Sequence, residues 1–150
     1  MSKQKRILTE EEKNKIAMAK QELNEYRENI KYIEEKLDDT EEIKAKLEKV
    51  TAVWSQAKTN SSNVSSDKFA DMISKLEDLK IDITEKMQEL LFKKFAIDDK
   101  IETIEQPYRN ILFYRYTRGK SWNDVANDLG YTVRNALILH GEALYLYSKI

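Results

Sequence analysis

From Thr9 onward the chain is patterned as a helix with one narrow apolar face. Ile16, Ala19, Leu23, Tyr26, Ile30, Ile33 and Leu37 follow one another at alternating steps of three and four residues, the spacing of a helix that packs along a seam. The preceding LTEEEK supplies a start. Thr9 can cap the helix, and Glu10, Glu11 and Glu12 fill the first turn, where the helix dipole favours anions. After Leu37 the seam breaks at Asp38-Asp39-Thr40 and resumes one residue out of phase at Ile43, Leu47, Val50, Trp54 and Ala57. Three poor helix formers in a row, with Glu41 and Glu42 after Thr40, read as a stop and a fresh N-cap. The pattern predicts two helices, or one sharply kinked helix, over about 10–37 and 41–57.

Residues 58–67, KTNSSNVSSD, carry no periodicity and are rich in Ser and Asn. They predict a flexible loop, with Ser66 or Asp67 capping the next helix. A second stripe then runs through Phe69, Met72, Ile73, Leu76, Leu79, Ile83, Met87, Leu90, Leu91, Ile97, Ile101 and Ile104. At 1.5 Å per residue this helix is roughly 55 Å long. Its stripe needs cover from the first segment folded back on it, from a second copy of the chain, or from both.

The last third is different in texture. Pro107 suits the first turn of a new helix, which carries Ile111, Leu112, Tyr114 and Tyr116 and ends at Thr117-Arg118-Gly119-Lys120, with Gly119 as its C-terminal cap. Ser121 opens another helix that Gly130 stops, and Thr132 opens the last, which runs to about Ser148. Two short helices joined by a tight turn make a helix-turn-helix, whose second helix enters a DNA groove. Ala126 is the small residue such a crossing requires, and Gly130, four residues on, suits a turn with positive φ. Val125, Leu129, Tyr131, Ala136 and Leu139 fall at offsets that lock the pair, and Trp122 anchors it to the preceding helix. The outer residues Thr132, Val133, Arg134, Asn135, Leu137 and Ile138 would then face the major groove. Arg134 suits guanine or a phosphate, and Asn135 suits adenine. Arg115, Arg118 and Lys120 would position the unit on the backbone, and Ser121 is a further DNA-binding candidate. Leu137 and Ile138 fit thymine methyls or a protein interface.

Composition narrows the function. Of 150 residues, 41% are hydrophobic and 35% charged, more charge than the globular average of about 25%. With three glycines and one proline, long helices with wide solvated faces are expected: an all-α protein. Net charge is −1, but it is unevenly spread. Residues 1–102 hold 20 Lys/Arg against 23 Asp/Glu, and residues 103–150 hold 6 against 4, so attraction to nucleic acid would concentrate at the C-terminal end. No cysteine is present, which excludes disulfides, thiolate catalysis and cysteine-ligated zinc. No apolar run reaches the roughly 18 residues of a bilayer span, and the charged N-terminus lacks a signal-peptide core. A cytoplasmic protein without membrane attachment is expected.

No nucleophile–base–orienter set and no phosphate-binding glycine loop is visible. The reading is therefore a non-enzyme, with no cofactor and no metal. His140 stands alone and reads as a packing or capping residue. The acidic pairs Asp38-Asp39 and Asp98-Asp99, and Asp124, read as helix starts, caps or solvated groups. The aromatics of the last third read as core, with Tyr145 and Tyr147 on different faces of the final helix.

The run PYRNILFYRYTRGKSWNDVANDLGYT, followed by LHGEAL, resembles region four of sigma factors: a helix ending in Arg-Tyr, a short basic glycine turn, then W-x-x-V-A-x-x-L-G-Y-T. Over nearly its whole length the chain is similar to small phage and prophage regulators of the ArpU and RinA activator type. The resemblance implies a transcriptional regulator in the bacterial cytoplasm, an activator that binds promoter duplex DNA through residues 121–147. RNA polymerase is a further partner it implies. The expected division is a helical hairpin or coiled-coil arm at 1–104, pairing two copies, and a helix-turn-helix domain at 105–150. Two other readings stand beside it: a protein-interaction module that docks on RNA polymerase or another phage protein through Leu137 and Ile138, and the DNA-recognition subunit of a phage packaging complex.

Overall fold

The computed structural model describes residues 6–57 and 66–150. Most of the expected loop at 58–67 lies outside them. The described chain is all-helical. Helix α1 spans Glu10–Ala57, α2 Ser66–Glu102, α3 Tyr108–Leu112, α4 Trp122–Leu129 and α5 Val133–Ser148. Between α3 and α4 the backbone widens into a π-helical segment, Phe113–Thr117. No described helix is long and apolar enough to cross a membrane.

Of the two alternatives the pattern allowed, two separate helices are not found, because α1 is helical throughout Glu10–Ala57. Thr40 explains the difference. Its hydroxyl donates to the carbonyl of Lys36 one turn back, at 2.7 Å, instead of capping a new helix. A threonine so bonded stays inside a helix, and the propensity cost of Asp38, Asp39 and Thr40 is only a few tenths of a kcal/mol each. At the other end Thr9 caps as expected, its Oγ1 accepting from the Glu12 amide at 3.2 Å.

The residues fall into two compact units. One takes residues 32–91, the inner stretches of both long helices. Ile33 and Leu90 are buried there, while Ile43, Ile73, Leu76, Ile83 and Met87 are half-buried and Leu37 and Leu79 are exposed. Ion pairs one helical turn apart, Lys36–Asp39, Lys46–Glu42 and Lys86–Glu89, line its surface.

The other unit takes residues 1–31 and 92–150. Its larger apolar cluster gathers Ala19, Leu23 and Tyr26 of α1, Ile97 and Ile101 of α2, and Leu112, Tyr116, Ala143, Leu144 and Tyr147. The expected boundary at 104/105 is thus a break in the helix and not in the packing, since the ends of the long helices share a core with α5. A second cluster joins Ile111, Val125, Ala126 and Ala136, with Tyr114, Trp122, Leu129, Tyr131 and Leu139 packed around it. Adjacent residues on α3 therefore serve different cores. Ile111 faces one and Leu112 the other, and neither is exposed at all. Complete burial of each is worth roughly 1.5–3 kcal/mol. Helix α5 is likewise pinned twice, by Ala136 in the small cluster and by Ala143, Leu144 and Tyr147 in the large one.

Candidate nucleic-acid interface

The α4–α5 corner is built by its local sequence. Ser121 is extended (φ −65°, ψ 160°), and its hydroxyl accepts from the Asp124 amide. Thr132 repeats this at the head of α5, accepting from the Asn135 amide at 3.1 Å. Each cap contributes about 1 kcal/mol, which matters for an eight-residue helix that is marginal alone. Gly130 ends α4 with φ +74°. The Tyr131 amide then donates to the Ala126 carbonyl at 2.8 Å, so the small residue at the contact also anchors the turn. The residues that the spacing assigned to this lock, Val125, Ala126, Leu129, Tyr131, Ala136 and Leu139, together with Trp122, all lie in the one cluster.

With that face locked, the opposite edge of α5 is free. Thr132, Val133, Arg134, Asn135, Leu137 and Ile138 are all exposed. Arg134 makes no ion pair and no side-chain hydrogen bond among the described residues. Leu137 is 44% and Ile138 59% exposed, high values for side chains of that size. Asn135 donates only its backbone amide, to the cap, which leaves its carboxamide available.

The second expected group surrounds the basic turn. Arg115 is half-buried. Its Nη1 donates to the Lys120 carbonyl at 2.9 Å, and its guanidinium lies 4.8 Å from the centre of the Trp122 ring. Burial, then the nearby Arg27, lowers its pKa. It acts first as a brace between the π segment and α4. Arg118 is exposed and lies over the Tyr114 ring at 4.7 Å and Phe113 at 5.0 Å. Lys120 pairs with Asp128 of α4. Gly119 has φ +65°, the left-handed conformation expected of it. The π widening lets the Arg118 amide reach the Phe113 carbonyl and the Lys120 amide reach that of Tyr114, which presents the turn at the mouth of α4. No hydrogen bond or ion pair among the described residues links this group to the edge of α5.

Two contacts escaped the sequence reading. Tyr26 of α1 donates its hydroxyl to Asp98 of α2 and lies 2.9 Å from the Thr117 hydroxyl. Asp98 also accepts from Lys94 at 2.6 Å, so it is a half-buried tie and not a solvated residue. Arg27 of α1 donates to the Gly119 carbonyl at 2.9 Å. Nothing in a helical periodicity marks Tyr26 or Arg27 as reaching residues some 90 positions away. His140 packs: it is buried, with Nε2 2.6 Å from the Tyr116 hydroxyl and the Trp122 ring at 4.6 Å. Burial, then Lys20 and Arg115, pushes its pKa down to about 4, and burial pushes that of Tyr116 up to about 12. The pair is neutral at physiological pH. Tyr147 is buried and Tyr145 half-buried, the latter under the Arg6 guanidinium.

A cleft of about 550 Å³ lies beside the Tyr26–Asp98 tie, lined by Lys94, Asp98, Glu102, Arg109, Asn110 and Phe113 among others. Its charges are mixed, and both cations are engaged, Lys94 with Asp98 and Arg109 with the Ile104 carbonyl. No protein-family model, curated protein or solved structure matches the chain.

Proposed function

We propose that this chain is a DNA-binding transcriptional regulator of the phage type, reading promoter duplex with the leading edge of α5. The observation that carries the reading is the exposure of Thr132, Arg134 and Asn135 at the capped head of a helix whose other face is fixed in two cores. A rigid helix with free polar groups at its N-terminal end is what groove recognition uses. Arg118, Lys120 and Ser121 hold the backbone beside it. The half-buried stripe at Ile43, Ile73, Leu76, Ile83 and Met87 supports pairing of two copies through the long helices, which would present two reading helices to two half-sites.

The test is binding to duplex across a salt series, followed by sequencing of phage genomic fragments that the protein enriches. Affinity should fall steeply with salt, and the enriched fragments should share a motif. Binding that is absent at low salt would refute the reading.

One observation favours a second reading, docking on a protein such as RNA polymerase. Val133, Leu137 and Ile138 are exposed apolar residues near a single cation, and Asp124 and Asp128 sit on the neighbouring α4. A partner with an apolar groove would cover them without needing positive potential.

A further inference from the structure

Four cationic side chains converge on the turn 118–120, and they come from two distant parts of the sequence. Arg27 of α1 holds the Gly119 carbonyl, and Arg115 holds the next one, that of Lys120, each at 2.9 Å. Arg118 lies 4.7 Å from the centre of the Tyr114 ring and 5.0 Å from that of Phe113. Lys120 pairs with Asp128. Arg27, Arg115 and Arg118 make no ion pair among the described residues. Three guanidinium groups are therefore gathered without an ion-pair partner among the described residues, and Arg27 and Arg115 repel each other, a repulsion that an anion would relieve. Each spends at most one of its five N–H donors on the chain, and the capped N-terminus of α4 at Ser121 adds the positive end of its dipole.

We infer that these groups form a phosphate seat in which α1, through Arg27, contributes a direct contact to the DNA backbone beside the α4–α5 corner. The ligand is a phosphodiester of duplex DNA. Its non-bridging oxygens match the planar fork of a guanidinium, and each such contact releases a counterion. The inference rests on the DNA reading above and extends it: the long helix is part of the reader and not only a dimerisation arm. Its origin is geometric. Gly119 holds the turn in its left-handed conformation, and the Arg27 Nε lies 3.7 Å from where a Cβ would stand, an ordinary contact distance.

The experiment measures binding to a random-sequence duplex of about 20 base pairs over a salt series, for the full chain, Arg27→Gln, Arg118→Gln and Arg134→Ala. Arg27→Gln removes a hydrogen bond to the turn, so its melting temperature is recorded alongside. Arg118→Gln, whose guanidinium holds no backbone group, serves as the independent probe. The seat predicts that Arg27→Gln and Arg118→Gln each reduce the slope of log affinity against log salt by about one and weaken binding several-fold at low salt. If the full chain binds and neither variant changes the slope, the seat is overturned while the DNA reading stands. A slope change in Arg118→Gln alone overturns the contribution of α1. If the full chain binds no duplex, both fail together.

Discussion

The Tyr116 hydroxyl and His140 Nε2 meet at 2.6 Å inside the protein, between the π segment and the middle of α5. This bond sits where the two apolar clusters adjoin, since Tyr116 belongs to one and Trp122, which packs edge-on against His140, belongs to the other. The histidine is held neutral by burial, with Lys20 and Arg115 adding to the effect.

A pH dependence of stability follows. His140 has a folded pKa of about 4, below its ordinary 6.5. Between these values the unfolded chain binds a proton and the folded chain does not, so stability rises with pH. The contribution is complete above pH 6.5 and is lost as pH falls toward 4. From pH 7 to pH 5 the loss is about 2 kcal/mol. Urea unfolding of the protein and of His140→Gln at both pH values checks it. The variant should be less stable at pH 7 and lose less on acidification. Equal losses in the two proteins would show that His140 is not the titrating group.

Two of the three glycines, Gly130 and Gly141, have separate roles. Gly130 has φ +74° and open space around the position of a Cβ. Gly130→Ala therefore costs about 1 kcal/mol through backbone strain alone. Gly141 lies inside α5 with ordinary helical backbone and equally open space. Gly141→Ala should stabilise by roughly 0.5–1 kcal/mol. Thermal unfolding of the two variants should move in opposite directions.

This corner was the most legible part of the sequence. Ser121, Gly130 and Thr132 each act on the backbone within four residues of themselves, so their effect depends little on distant parts of the chain. The exposed edge of α5 followed from the same positions. The continuity of α1 through Asp38-Asp39-Thr40 has the converse cause. A threonine hydroxyl can cap a helix or bond one turn back within it, and the sequence does not say which. Tyr26, Asp98 and Arg27 were unreadable for another reason: their partners are set by how α1 and α2 meet the π segment, and no periodicity encodes that.

Tyr26→Phe tests that long-range tie. The change keeps the ring in the core but removes the hydroxyl bonded to Asp98 and Thr117. Asp98 retains Lys94, so the loss should be about 1–2 kcal/mol and not the full penalty of a stranded carboxylate. Burial and the bond to Asp98 raise the Tyr26 pKa above 10. The folded state thus holds its proton where the unfolded state loses it, and this contribution fades as pH rises above 10. Ultraviolet titration should find Tyr26, Tyr116 and Tyr147 ionising late in the native protein, and one fewer late phenol in Tyr26→Phe. An unchanged count would place the ionising group elsewhere.

Ile138→Lys separates DNA reading from protein docking most directly. Ile138 lies one turn after Arg134 on the free edge of α5 and is 59% exposed, so the change should leave stability within about 0.5 kcal/mol. If that edge lies in a DNA groove, a second cation one turn from the first adds a phosphate or base contact. Duplex affinity at low salt should then rise, and the salt slope should steepen by about one. If the edge instead fills an apolar groove on a protein, the lysine would bury an unpaired charge there and weaken that complex. It would leave duplex binding where it was. Because one reading expects tighter and more salt-sensitive duplex binding and the other expects no change in it, a single salt titration of the variant beside the unmodified chain decides between them.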